Sequence, residues 1–189
     1  MRYDTVFLWT QRNSDEGGGG DSGEIRKRPP FRTPSFNWED ASKNLTDVWF
    51  RKLKRTLSEN GRPLDAQTKV LEIGSGDGLF LKKMRENQID AVGIDARPRA
   101  VGNVDGQVRG RIERLPFADN TFDVVVSIAQ VFDSTVYRHN PQAMANEVAR
   151  VLKRGGIYLG FTEPDFPPPD SLIKLESEED AYSPVYKKP

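Results

Sequence analysis

The sequence predicts an α/β domain in which helices wind over both faces of a mostly parallel sheet. Three observations carry this. Short apolar runs alternate with helix-length amphipathic segments between residues 64 and 161. The run FDVVVSI at 122–128 sets Val124, Val125 and Val126 in succession, the pattern of a strand buried on both faces. The run KVLEI at 69–73 passes into a glycine-rich turn and then a helical pattern from about Leu79.

Composition bounds the rest. In 189 residues, 28 Lys and Arg balance 28 Asp and Glu, so a strongly basic coat for nucleic acid is not expected. There is no Cys, which excludes disulfides, a thiolate nucleophile and sulfur-ligated metal. A single His, His139, excludes two-His metal sites. No apolar run has membrane-spanning length and no secretory signal is visible, so a soluble cytoplasmic protein is the expectation.

In chain order, residues 1–36 read as an N-terminal segment with a flexible Gly/Pro-rich linker. MRYDTVFLWT holds a short apolar patch, and the four glycines Gly17 to Gly20 offer nothing to bury. Arg26, Lys27 and Arg28 form a solvated basic flank. From Asn37 the pattern becomes an amphipathic helix. Leu45, Trp49 and Leu53 recur every fourth residue, Val48 and Leu57 widen the face, and Asn60, Gly61 and Pro63 signal the stop.

Strand 69–73, the turn and its helix come next, then IDAVGID ending in Asp95, a weak strand near Val108, and strand 122–128. PQAMANEVARVLKRGG predicts a helix entered through Pro141, with Met144, Val148, Val151 and Leu152 as its stripe and Gly155 and Gly156 closing it. IYLGF at 157–161 is a further buried strand. The domain is therefore expected over 37–162. Residues 163–189, with Pro167 to Pro169 and four acidic residues at 176–180, read as a Pro-rich acidic tail with one short strand around Tyr182 to Tyr186.

The chemistry concentrates at the first turn. Gly74, Gly76 and Gly78 let backbone turn tightly and approach a ligand at a helix N-terminus. Asp77 inside the turn repels phosphate, and no Lys-Ser or Lys-Thr pair follows the glycines, so a nucleoside-triphosphate loop is excluded. Asp95, ending the next strand, is placed to accept from both hydroxyls of a ribose. Glu72 either orients the loop or holds a cationic amino group. A ligand with a ribose, an amine and no phosphate fits this charge pattern better than NAD, and S-adenosyl-L-methionine is such a ligand.

These residues bring a family into view. VLEIGSGDG at 70–78, VGIDARP at 92–98, GRIERLPFADNTFDVVVS at 110–127 and EVARVLKRGG at 147–156 resemble, in order, the motifs of class I S-adenosylmethionine-dependent methyltransferases of the small-molecule type. The resemblance spans 64–161. It implies a Rossmann-like methyltransferase fold, here lacking part or all of the C-terminal strand hairpin. It also implies that Gly74, Ser75, Gly76 and Gly78 wrap the methionine end of the donor, that Asp95 binds the ribose, and that Ala96 and Arg97 border the adenine. Ile112 and Glu113 would lie near the other side of the base. Ser127 and Ile128 would face the sulfonium region. Leu115, Pro116 and Phe117 read as loop packing, and Glu147 and Arg150 as members of surface or inter-helix ion pairs.

The chain departs from the family pattern in four places. Arg111 stands where many relatives carry an Asp that accepts from the adenine amino group, and a guanidinium has no acceptor. The stretch from Asp95 to Leu115 is short, so the helix usual there is missing or reduced. Beyond Phe161 only a polar tail is expected, leaving five or six strands and an exposed edge suited to a protein partner or a second copy of the chain. No catalytic motif stands out. His139 is the candidate base by its position after the fourth strand and its near-neutral titration.

Methyl transfer to an O, N or C nucleophile of a small-molecule acceptor is thus the expected function. The alternative is a non-catalytic binding or partner subunit with the same fold.

Overall fold

Helix α1 (Trp38–Glu59) stops where its sequence signals the stop. Gly61 takes φ 70°, the Arg62 N–H donates to the Leu57 carbonyl at 2.8 Å, and the Gly61 N–H donates to that of Ser58 at 3.0 Å. This double closure satisfies carbonyls that the last turn leaves open. The computed structural model describes residues 38–96, 104–128, 140–161, 166–175 and 183–189, with side-chain burial given from residue 44 onward. The expected N-terminal segment and linker at 1–36 lie outside the described residues. Residues 37–189 form one compact unit.

The buried stripe of α1 differs from the expected one. Phe50, Leu53 and Leu57 are buried with Thr46 and Thr56, Leu45 and Trp49 are half-buried, and Val48 is 39% exposed. A helix packed beside a second helix buries a stripe set by its neighbour, and here that stripe turns from Val48 toward Phe50.

After α1 come β1 (Lys69–Ile73), α2 (Leu79–Glu86), β2 (Asp90–Asp95), β3 (Gln107–Arg109), a 3-10 turn (Ile112–Arg114), β4 (Phe122–Ile128), α3 (Pro141–Val151), β5 (Leu152–Phe161), β6 (Ile173–Lys174) and β7 (Val185–Lys187). Among the described residues seven strands form one sheet in the order β3-β2-β1-β4-β5-β7-β6. The first five are parallel to one another, and β7 runs antiparallel to both β5 and β6.

Alternation along the strands divides the core. Val70, Val124, Val126, Ile157 and Leu159 face α1 and α2 and pack on Leu53, Leu57, Phe80 and Met84. Leu71, Ile73, Val125 and Tyr158 face α3 and the 3-10 turn and pack on Met144, Val148, Ile112 and Leu115. Both faces are covered, which is why these strands read as continuous apolar runs. Among the described residues, no helix is long and apolar enough to cross a membrane.

Two expectations are corrected. Strand β5 begins at Leu152, not at Ile157. Phe122 pairs with Leu152 while Val124 pairs with Ile157, so Lys153 to Gly156 form a bulge within the strand, with Gly155 at φ 75°. The glycines bend the strand and do not close the helix.

The reading of 163–189 as a polar tail with one strand is corrected as well. Phe166, Leu172, Val185 and Tyr186 are buried, and Phe166 stacks on Tyr158 with ring centroids 4.2 Å apart. This apolar content docks β7 against β5, so β5 is not an edge and the sheet is not cut to five or six strands. The hairpin is nevertheless abbreviated, with strands of two and three residues.

Candidate functional site

The sheet order puts β1 between β2 and β4, where the chain stops building toward one edge and starts toward the other. In open α/β sheets ligands bind in the crevice beyond the carboxyl ends of the strands at such a point. The glycine turn lies there, between β1 and α2. Gly74, Gly76 and Gly78 have φ values of 72°, 54° and 77°, so each glycine occupies the left-handed region that a side chain disfavours.

Four hydrogen bonds donated by the turn's own N–H groups hold it among the described residues. The N–H groups of Gly74 and Ser75 both donate to the Ile94 carbonyl, at 2.8 and 3.1 Å, and Gly78 N–H donates to the Ser75 carbonyl at 2.8 Å. Gly76 N–H donates to Asp95 Oδ2 at 2.9 Å. Asp95 therefore does more than end β2: its carboxylate is buried and grips the middle of the turn. Ala96 follows it, exposed. The Gly110 N–H donates to the Asp95 carbonyl at 3.1 Å, which draws the start of the 3-10 turn to the same strand end.

Glu72 is 3% exposed. Burial, with the nearby Asp95 charge adding to it, pushes its carboxyl up to about 8, against a smaller opposing pull from a hydrogen bond with the Leu81 backbone. Leu81 lies in the first turn of α2, whose N–H groups have no partner inside the helix. The Oε2 atom of Glu72 is buried with no hydrogen-bond partner among the described residues.

The remaining expected site residues separate. Ile112 is buried in the core on the α3 side. Glu113 is half-buried and accepts from Arg111 Nη2 at 2.9 Å, so Arg111 is engaged by the side chain two residues on. Ile128 packs with the α1 and α2 cluster, on the Glu72 side of the sheet.

Ser127 is a correction. Its hydroxyl is fully buried, 2.7 Å from Tyr158 Oη. A strand's side chains alternate in direction, so Ser127 and Ile128 cannot both face the turn. The Ser127 side chain belongs to the α3-side core.

The expected base His139, together with Arg97, lies outside the described residues. So does most of the short stretch between β2 and β3. Among the described residues, no group of three acidic or His side chains could hold a metal.

Two residues that shape the site were not assigned to it from the sequence. Gln107 Nε2 donates to the Gly76 carbonyl at 2.9 Å and to Ser75 Oγ at 3.2 Å. Gly93 lies under Ser75, where a Cβ would come within 2.8 Å of the Ser75 Cβ. No local pattern marks Gln107, whose partners are 31 and 32 residues away. Gly93 could have been noticed as a glycine inside an otherwise apolar strand.

The loop after the 3-10 turn is clamped from α3. Glu147 Oε2 accepts the Leu115 N–H at 2.6 Å, and Arg150 donates to the carbonyls of Leu115 and Phe117 at 3.0 and 2.8 Å. Arg150 also donates to Glu147 itself, at 2.6 Å to Oε1, an ion pair within α3.

Comparison with known proteins agrees with this geometry. Residues 71–160 match the family model described as a methyltransferase domain. An uncharacterised methyltransferase of a Mycobacterium species (strain KMS) is 31% identical over 127 residues, covering 63% of this chain and 45% of the relative. A sterol 24-C-methyltransferase of Gibberella zeae is 30% identical over 103 residues, or 48% of this chain and 26% of that protein. The chain thus spans less than half the length of these curated relatives.

Among solved structures, a Pyrococcus horikoshii protein aligns with TM-score 0.60 at 18% identity, covering 89% of this chain and all of that one. A methyltransferase from Aquifex aeolicus aligns with TM-score 0.52 at 17% identity, covering 70% and 87%. These two likenesses concern the fold.

Proposed function

We propose that the protein, whose residues 71–160 match the methyltransferase-domain family model, is a class I S-adenosylmethionine-dependent methyltransferase that binds S-adenosyl-L-methionine and transfers its methyl group to an O, N or C nucleophile of a small-molecule acceptor. The single observation that carries this is the turn at Gly74 to Gly78. Three left-handed glycines bring bare backbone to the switch point of the sheet, and Asp95 holds that backbone from β2.

The side chains present fit the donor. The buried Oε2 of Glu72, without a hydrogen-bond partner among the described residues, is the complement of a cation, and the donor's methionine end carries an ammonium group. Asp95 is the carboxylate for the ribose hydroxyls, Gly74, Ser75, Gly76 and Gly78 flank the methionine end, and Ala96 and the Ile112–Glu113 backbone border the base. Asp77 in the turn disfavours phosphate and so disfavours a dinucleotide.

The chemistry such a donor supplies when bound is a methyl group on a cationic sulfur, open to displacement. The chain's own task is then alignment: holding donor and nucleophile in line contributes most of what such a transfer needs. Where the nucleophile carries a proton, His139 is the side chain we assign to accept it, by its place after β4 and its single imidazole. His139→Ala should lower turnover and leave donor affinity unchanged.

The alternative of a non-catalytic binding subunit drew on a missing C-terminal hairpin, on Arg111 and on the long arms; seven strands weaken only the first of these. The test is a calorimetric titration of the purified protein with S-adenosylmethionine and S-adenosylhomocysteine, followed by an acceptor screen. Micromolar binding of both is expected. A folded, monodisperse sample that binds neither would overturn the reading.

A further inference from the structure

Glu72 on β1, Gly93 on β2 and Gln107 on β3 share one row across the sheet. Neighbouring strands lie about 4.8 Å apart, and residues in register on parallel strands point to the same face. The middle residue of this row has no side chain. The space above it holds Ser75, whose Cβ and Oγ would lie 2.8 and 2.9 Å from a Cβ at position 93.

Gln107 reaches over that gap from the outer strand. Its two amide hydrogens serve two acceptors, the Gly76 carbonyl at 2.9 Å and Ser75 Oγ at 3.2 Å. The amide orientation follows from this. Turned over, Oε1 would oppose the Gly76 carbonyl, acceptor against acceptor. Among the described residues the buried Oε1 atom has no hydrogen-bond partner, so the hydrogen bonds seen there are those its donors make.

Gly76 is thereby gripped on both sides. Its N–H is taken by Asp95 and its carbonyl by Gln107. A five-residue turn with three glycines in left-handed conformation has little stiffness of its own, since glycine populates many alternatives at small cost. Apart from the Gly78–Ser75 hydrogen bond within it, the turn is held in one shape from β2 and β3.

We propose that Gln107 is a positioning residue for the donor site, fixing the Ser75–Gly76 backbone in the shape that receives the methionine end of S-adenosylmethionine. This rests on the donor-binding reading above. Gln107 acts through the turn and is not assigned a contact with the acceptor.

Two variants test it. Gln107→Met keeps the length and removes both donors. Gln107→Glu keeps the shape but sets a carboxylate against two acceptors until it is protonated. The native protein and both variants are titrated calorimetrically with S-adenosylhomocysteine, and amide exchange at Ser75 and Gly76 is followed by NMR without ligand.

Gln107→Met is expected to weaken affinity roughly tenfold, the scale of hydrogen bonds lost at a buried site. Exchange at Gly76 is expected to quicken while Val125 and Leu159, in the central strands, exchange as in the native protein. For Gln107→Glu, the loss relative to the native protein should shrink as pH falls from about 8 to about 5, when the acid regains an O–H donor. A merely structural role would not produce that recovery.

Unchanged affinity and unchanged Gly76 exchange in Gln107→Met overturn the proposal while leaving donor binding intact. If that variant does not fold, the absence of recovery in Gln107→Glu overturns it. Failure of the native protein to bind S-adenosylhomocysteine removes the donor reading and this proposal together.

Discussion

Asp95 Oδ2 accepts the Gly76 N–H at 2.9 Å, so the last side chain of β2 holds the centre of the turn that leaves β1. One carboxylate is thus offered two tasks: shaping the turn with one oxygen and receiving a ribose. Asp95→Ala removes both and should weaken S-adenosylhomocysteine binding by about 10- to 100-fold, the range for hydrogen bonds to a charged group. Asp95→Asn retains an acceptor for Gly76 and should lose less. Calorimetry on the two variants separates the tasks, and equal affinity in Asp95→Ala and the native protein would end the assignment.

Glu72 makes stability depend on pH. Its folded-state carboxyl is raised by burial to about 8, above its value in an unfolded chain. The folded state therefore holds a proton that the unfolded state has lost, and stability falls as pH rises from the ordinary carboxylate range to about 8, then levels off. Glu72→Gln should flatten that dependence, read as Tm between about pH 5 and about pH 9. A ligand ammonium favours the ionised carboxylate, so donor binding near neutral pH should release a proton. Calorimetry in buffers of different ionisation enthalpy would detect it, and an identical heat in all buffers would exclude the Glu72 contact.

Gly93 should tolerate no side chain. A Cβ there meets Ser75 Cβ at 2.8 Å and Leu81 Cδ2 at 3.0 Å. Both neighbours are buried and held, Ser75 by the turn and Leu81 by α2. Gly93→Ala should cost about 1–3 kcal/mol, the usual penalty of overpacking, measured by denaturant unfolding. It should also disturb the turn. A neutral substitution would mean that Ser75 can move aside.

Lys188 ties the C-terminal strand to α3. Its Nζ donates to the carbonyls of Ala149 and Leu152, at 2.9 and 2.8 Å, and to Asn120 Oδ1 at 2.9 Å, while its backbone exchanges hydrogen bonds with Gly155 and Gly156. A cation at the carbonyl end of a helix also complements the helix dipole. Lys188→Met should lower stability by about 1–2 kcal/mol through the lost side-chain bonds. Removing residues 183–189 should cost more, because buried Val185 and Tyr186 leave with them. An unaltered unfolding midpoint in the truncated chain would contradict the docked hairpin.

Much of this was legible from local pattern. Strand β1 at 69–73, the helix start at Leu79, the strand end at Asp95, strand β4 at 122–128 and the stop of α1 at Gly61 follow from neighbours within a few residues: apolar succession, glycine at a left-handed position, an amide with nowhere else to donate. The glycine turn and Asp95 were legible as a candidate site for the same reason, since their spacing along the chain already encodes a strand, a turn and a strand end.

What the sequence alone could not settle depends on contacts made across long separations. The tail became β6 and β7 because Phe166, Leu172 and Tyr186 find Tyr158 on β5, an apolar surface that does not exist until the sheet is built. Ser127 left the site because parity along β4 aims it at Tyr158, and parity has meaning only once each face has a neighbour. Gln107 entered the site because Gly93 leaves room beneath Ser75, a relation among three strands that no single segment carries. Local propensity and period thus determined the elements and the place of the turn. Side-chain packing between distant elements decided which residues hold that turn in shape.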